Sequence, residues 1–178
     1  MNLTVKEKVS YGIGAVGKDM VYSIVTGFLM LYYDTVLGIS TTFIGVLFMV
    51  ARTLDAFNDP FMGIIVEKTH TRMGKFRPWL LIGTVLSAIA LYAMFAVPRS
   101  LSGTPLLIYA SAAYILWGTT YTLMDIPYWS MIPAISAAGR ERENISVIAR
   151  SCAGLGFAVP TALTMLVVPI LGNGDKRL

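Results

Sequence analysis

The sequence predicts an all-α integral membrane protein, on three observations: its composition, the length of its apolar tracts, and the places where its charges fall. Of 178 residues, 56% are hydrophobic and only 13% are charged, and the mean hydropathy is positive, far from the balance of a soluble domain. Five apolar tracts stand out, at about residues 9–33, 41–66, 79–98, 105–135 and 146–171. Each is long enough to cross a hydrocarbon core of about 30 Å at roughly 1.5 Å per helical residue. Strands of a membrane barrel would be about ten residues long and would alternate apolar with polar side chains, a pattern the tracts do not follow.

The first tract follows MNLTVKEKVS, whose two lysines invite comparison with a signal peptide. It lacks a short apolar core ending in a small-residue cleavage site and is interrupted by Lys18 and Asp19, so it reads as a retained first span. Gly12, Gly14 and Gly17 in this tract, and Gly154 and Gly156 in the fifth, suit close approach of neighbouring helices. They do not form the strand-borne glycine loop of a nucleotide site. Pro78 and Pro105 are expected to start the third and fourth helices, since proline's missing N–H costs nothing in a first turn. Trp79 and Trp117 are expected in interfacial belts, and His70 in a solvated loop. Cys152, the single cysteine, provides neither a disulfide nor a thiolate metal site. The connections, about 34–40, 67–78, 99–104 and 136–145, are too short for a soluble domain. Helical carriers are commonly built from repeats paired into halves. Five spans therefore suggest a truncated molecule.

A net charge of +4 would suit nucleic acid, but the placement of the charges argues against that partner. Lys6 and Lys8 precede the first tract, Lys68, Arg72, Lys75 and Arg77 follow the second, and Arg140 and Arg142 follow the fourth. Only Arg99, Lys176 and Arg177 fall on the opposite side. By the positive-inside rule the N-terminus is cytoplasmic in a multi-pass protein of a cell membrane, expected to be a bacterial inner membrane. The lipid bilayer is then a partner, with anionic headgroups a secondary attraction.

Seven charges remain inside the tracts: Lys18, Arg52 and Arg150, with Asp19, Asp55, Asp59 and Asp125. Each costs about 2.5–3.5 kcal/mol at the centre of a lipid-facing helix, so these side chains must face protein or water. At about 100° per residue, Arg52 lies about 60° to one side of Asp55 and Asp59 about 40° to the other, forming one stripe bordered by Asn58. Asp125 belongs to a second stripe with Tyr121, Tyr128 and Trp129. Buried ion pairs alone leave a carboxylate in excess, and intramembrane ionisable residues usually mark an ion or substrate path. Asp55 and Asp59, with the Asn58 amide and the Thr122 hydroxyl, offer hard oxygen ligands suited to Na⁺ or a proton rather than to a transition metal. Carboxylates and arginine beside tryptophan and tyrosine rings have the chemistry of a sugar site, polar groups meeting hydroxyls and an aromatic face covering the ring.

Five segments, YGIGAVGKD, VARTLDAFNDPFMG, RMGKFRPWLLIGT, YILWGTTYTLMDIPYWS and GRERE, together resemble the melibiose/cation symporters of the glycoside-pentoside-hexuronide family, within the major facilitator fold. The resemblance runs nearly end to end. It implies a twelve-helix carrier that alternates between inward-open and outward-open states, of which residues 1–178 are the N-terminal helical-bundle domain with about five transmembrane helices, the C-terminal half being absent. The implied function is uptake of a galactoside such as melibiose coupled to inward movement of Na⁺, Li⁺ or H⁺, with no other cofactor. Carried over by position, the resemblance makes Asp55, Asp59, Asn58 and Thr122 the cation site, with Na⁺ at Asp55 and Asp59. It makes Asp19, Asp125, Lys18, Trp129, Tyr121 and Arg150 the sugar site, and Arg52 a charge-network residue near both. Thr26, where the melibiose symporters carry an aromatic residue, and the segment NISVIARS depart from the pattern.

Alternatives are a proton-coupled glucuronide or pentoside symporter of the same family and, from another class, a membrane binding or interaction fragment that does not transport. An enzymatic role is not expected. An intramembrane aspartyl protease needs two aspartates from two helices, whereas Asp55 and Asp59 share one, and Tyr33-Asp34 lies at a helix end with no Gly-x-Gly-Asp after it.

Overall fold

The computed structural model describes residues 3–171, and among them five long helices and no strand. They are α1 (Val5–Leu31), continued by a π turn (Tyr32–Val36), α2 (Thr41–Lys68), α3 (Arg77–Phe95), α4 (Thr104–Ile135) and α5 (Arg140–Leu171). Each of the five expected tracts lies largely on one helix. Lys176 and Arg177, part of the expected charge asymmetry, lie outside the described residues.

The helix ends are set by caps and not by where the apolar tract stops. α1 begins at a capping box: the Glu7 N–H donates to the Thr4 hydroxyl at 3.3 Å, and the Thr4 N–H donates back to the Glu7 carboxylate at 2.8 Å. α3 carries Pro78 in its first turn and α4 begins at Thr104-Pro105, as expected of proline. α5 starts about two turns before its apolar tract because RERENI is itself helical, with Glu141 and Glu143 in the first turn complementing the positive end of the helix dipole.

Three segments, Val5–Val36, Arg77–Phe95 and Arg140–Val167, are long and apolar enough to cross a membrane by length and composition, and 28%, 22% and 22% of their most apolar windows is buried. Apolar surface left open on that scale requires lipid or further protein around it. α2 and α4 have the length, 28 and 32 residues. Their hydropathy is diluted by the charges of α2 and by the hydroxyl-rich run in the middle of α4.

The chain divides into two compact units, Met1–Ile44 with Ile132–Leu178, and Gly45–Met131. In the first, α1 packs against α5 along a seam of small residues. A Cβ on Gly156 would collide with the backbone of Val16, and one on Gly12 would stand 2.8 Å from the Cys152 Sγ. Ala15, Ile145 and Ala149 are fully buried. Gly17 and Gly154 have nothing comparably close, so only part of the expected glycine set makes the seam. At one end of the pair, the Glu141 carboxylate accepts from Lys8 Nζ at 2.9 Å and from the Leu3 N–H at 3.0 Å.

In the second unit, α3 and α4 meet where Gly83 lies against the backbone of Leu123 and Met124, a Cβ there falling within 2.9 Å of it. The Tyr109 hydroxyl donates to the Ala93 carbonyl at 2.9 Å. α2 meets α4 through Phe48 and Tyr114, ring centroids 4.7 Å apart. Tyr114, Trp117 and Tyr121 continue along α4 as a stacked series, with centroids 6.2 and 5.3 Å apart. Trp117 is buried at 3% exposure, which corrects the interfacial position expected of it: its indole is a packing element. Trp79 is half-buried and its indole N–H donates to the Thr69 hydroxyl at 2.9 Å, joining the start of α3 to the turn after α2.

Candidate functional site

The polar stripe of α2 lies within the second unit. Arg52 and Asp55, one turn apart, form an ion pair with Nη1 3.5 Å from Oδ2. The Arg52 side chain is 56% exposed, and an arginine left open to hydrocarbon would cost about 2.5–3.5 kcal/mol, so this face belongs to water or to further protein. Asp55, Asn58 and Asp59 are each half-buried.

The other carboxylate oxygen, Oδ1 of Asp55, points at α4. A Cβ placed on Gly118 would stand 3.4 Å from it, at ordinary contact distance, so α4 runs close beside the carboxylate at this glycine. One turn further along α4 is Thr122, buried, its hydroxyl donating to the Gly118 carbonyl at 3.2 Å. That bond uses the hydroxyl proton and leaves the oxygen's lone pairs as acceptors. Gly118 therefore connects the two expected cation-site elements, Asp55 on α2 and Thr122 on α4. Gly118 carries no signal of this role in the sequence beyond its place in YILWGTTYTLMD, four residues before Thr122. Pro60 lies inside α2 immediately after Asp59. Among the described residues no group of three or more His, Cys, Asp or Glu side chains is placed to hold a metal.

The residues expected to bind sugar are divided between the two units. Tyr121, Asp125 and Trp129 share a face of α4 in the second. The Trp129 indole N–H donates to Asp125 Oδ1 at 3.1 Å, and Tyr128 meets Trp129 edge-on with centroids 5.4 Å apart. The i, i+4 spacing read from the sequence is thus a direct bond, which anchors one oxygen of the carboxylate. Lys18, Asp19 and Arg150 belong to the first unit. Lys18, buried on α1, turns its ammonium onto the neighbouring Asp19 carboxylate at 2.9 Å. Adjacent helical residues do not normally face each other, and the flexible lysine stem makes the contact. Arg150 is exposed on α5.

From residue 10 to residue 177 the sequence matches the family profile described as MFS/sugar transport protein. The chain belongs to this family. Membership places the five helices within the major facilitator fold, a family of transport proteins and not of enzymes. Similar relatives are the inner membrane symporter YicJ of Escherichia coli (strain K12), 35% identical over 176 residues covering 99% of this chain and 38% of the relative. Another is the isoprimeverose transporter of Lactiplantibacillus pentosus, 33% identical over 169 residues, 95% of this chain and 35% of the relative. The raffinose carrier protein of Pediococcus pentosaceus is 31% identical over 184 residues, 94% of this chain and 29% of the relative. The chain thus spans less than two fifths of the length of these proteins.

Proposed function

We propose that this chain is the N-terminal part of a carrier that couples entry of a glycoside to inward movement of a monovalent cation by alternating access. The observation that carries the reading is the Asp55 carboxylate, set within a helix of a membrane protein, paired with Arg52 on one side and facing Gly118 on the other. Asp55, Asp59, Asn58 and Thr122 hold the cation, Na⁺ by preference and Li⁺ or H⁺ in its place. Asp125, Trp129, Tyr121, Lys18, Asp19 and Arg150 hold the sugar, a galactoside such as melibiose, and Arg52 lies in the charge network between them. The remaining wall of the pathway comes from the C-terminal half, and the N-terminus is cytoplasmic.

Coupling follows from charge. Two carboxylates one turn apart oppose burial, and a cation between them removes that opposition, so the state that encloses sugar forms readily only when the cation is bound. Linkage makes the effect reciprocal: the sugar raises cation affinity by the factor by which the cation raises sugar affinity. The Asp125 carboxylate, one oxygen held by the Trp129 indole N–H, accepts sugar hydroxyls while the indole covers an apolar ring face. A second reading is proton-coupled transport of a glucuronide or pentoside; its glucuronide part is supported by the relative named as a glucuronide carrier protein homolog of Escherichia coli (strain K12). In that reading Lys18 and Arg150 face a sugar carboxylate.

The deciding experiment is sugar-dependent cation flux into vesicles containing the complete carrier, across α-galactosides, β-galactosides, pentosides and glucuronides. Na⁺ uptake driven by a galactoside is expected. Proton uptake driven only by glucuronides or pentosides would transfer the assignment to the second reading, and the absence of accumulation for every sugar would leave a non-transporting binding protein.

A further inference from the structure

The basic turn between α2 and α3 takes no part in the cation and sugar chemistry above. α2 ends at Lys68 and α3 begins at Arg77, and with Arg72 and Lys75 they set four cations against one nearby carboxylate, Glu67. All four are exposed, and among the described residues none is paired with a carboxylate. Like charges crowded into one short turn repel, since screening takes hold only beyond a Debye length of about 8–10 Å. A loose loop would spread them apart.

This turn is not loose. The Trp79 indole N–H donates to the Thr69 hydroxyl at 2.9 Å, tying the first turn of α3 to the end of α2. At the tip the Gly74 N–H donates to the Thr71 carbonyl at 2.9 Å, and the Thr71 hydroxyl donates to the Gly74 carbonyl at 2.6 Å. Gly74 has φ +89°, which glycine adopts without a Cβ clash. The Lys75 ammonium lies 4.9 Å from the centre of the Phe76 ring. Neutral hydrogen bonds thus hold the charges together, and relief of their repulsion is left to a counter-charge from outside the turn.

The place of the turn identifies that counter-charge. It joins two long helices of a membrane protein and must reverse within residues 69–76, so it cannot carry its cations far from the bilayer surface. Beside them stand Met73, 49% exposed, and the half-buried rings of Phe76 and Trp79. A layer that is anionic at its surface and apolar beneath suits both kinds of group. Its phosphates accept from guanidinium and ammonium, and its acyl boundary receives the rings and the thioether. A free phosphate or a nucleic acid would use the charge alone.

We propose that the α2–α3 turn, held by the Trp79–Thr69 bond, is a binding site for the headgroup of an anionic phospholipid, with Arg72 and Lys75 as its principal contacts. The general attraction expected of basic loops becomes a site of fixed shape here, whichever sugar and cation the carrier moves.

The complete carrier in detergent is titrated with phosphatidylglycerol and, separately, with phosphatidylcholine of the same acyl chains, and bound lipid is counted by native mass spectrometry. Tighter binding of phosphatidylglycerol is expected, and equal affinity for the two lipids would overturn the proposal. Arg72→Gln/Lys75→Gln should weaken the first phosphatidylglycerol about twenty-fivefold, each basic side chain near an anionic surface being worth about a factor of five. Lys6→Gln/Arg140→Gln removes as much exposed charge elsewhere in the chain and should leave that lipid bound. An equal loss from this second pair would reduce the effect to net charge and overturn the site. Trp79→Phe keeps every charge but frees the turn, and should weaken binding about threefold to tenfold, the cost of ordering a loosened segment; parental affinity there would also overturn the proposal. Excess inorganic phosphate should not displace the lipid, and displacement would make this a free-anion site instead. Early melting of Arg72→Gln/Lys75→Gln with unchanged lipid binding would give the turn to carboxylates of the carrier's own C-terminal half, against the proposal. Should that pair misfold or insert in the opposite orientation, Lys75→Gln alone, expected about fivefold weaker, makes the same comparison.

Discussion

The α1–α5 seam and the α2–α4 contact both pass a glycine, but only one of them needs the side chain to be absent. At Gly156 the missing Cβ lets backbone meet backbone, with Val16 filling the space; at Gly118 the backbone lies beside a carboxylate, with Asp55 Oδ1 3.4 Å from where a Cβ would stand. Membrane helices gain little from the hydrophobic effect against one another and associate through close van der Waals contact, so the first arrangement is cohesion. Bringing a charge to a helix backbone inside a membrane adds no cohesion. A fold keeps such a contact when the charge has another role.

Gly156→Val tests the cohesive side and has the largest expected effect. The neighbour is backbone and cannot rotate away, so overpacking should cost about 1–3 kcal/mol or more, seen as loss of monodisperse protein on heating in detergent. Gly12→Ala should be milder, because its neighbour is the Cys152 thiol, 2.8 Å from the new methyl, and adding Cys152→Ala should rescue it. Equal damage from the two glycine changes would contradict the difference drawn here between a rigid and a yielding neighbour.

Asp55→Asn reverses the pattern. Removing the charge relieves the burial cost, so thermal stability should be equal to or above that of the parent. The cation dependence of sugar binding should disappear, a loss of about 1–3 kcal/mol of coupling, measured as sugar affinity with and without Na⁺. An Asp55→Asn carrier that melts early and still responds to Na⁺ would place Asp55 with the cohesive residues.

Gly118→Ala refines the same contact with a smaller change. A methyl 3.4 Å from Asp55 Oδ1 is at the near edge of ordinary packing, so folding should survive. The carboxylate should shift by a few tenths of an ångström, altering the Na⁺ to Li⁺ preference by about threefold, roughly 0.6 kcal/mol. An unchanged preference would mean that Gly118 packs beside Asp55 without shaping what it binds.

How much of this was legible in the sequence depended on the range of each interaction. Helix number, and the grouping of Arg52 with Asp55 and of Asp125 with Trp129, follow from apolar length and a 3.6-residue period, so the α2 and α4 stripes were readable. Trp117 was misplaced because hydropathy treats an indole at a helix–helix contact and one at a lipid interface alike. Only the neighbouring Tyr114 and Tyr121, at i−3 and i+4, hinted at a stacked series. Gly118 and Gly83 were passed over because a glycine's purpose lies in what approaches it from another helix, and a period within one helix does not contain that. Helix starts were missed by up to two turns wherever polar caps extend the helix past the apolar tract, as at RERENI.

The smallest effect expected is at the polar end of the cohesive pair, where Glu141 receives Lys8 and the Leu3 N–H. The Lys8 hydrogen bond first, then the Leu3 N–H, hold the Glu141 carboxyl below its ordinary value of 4.5, with partial burial opposing them. A carboxyl depressed in the folded state stabilises that state above the unfolded value, and the contribution is lost as pH falls through the folded one. The parent should therefore hold a small melting-temperature advantage over Glu141→Gln at pH 7, shrinking as pH drops below about 4.5 and gone once the folded carboxyl is protonated. The same scan on Gly156→Ala should give an offset from the parent that does not change with pH, since packing carries no proton. If the Glu141→Gln difference is likewise flat with pH, Glu141 contributes by packing and the end of the seam is no different from its middle.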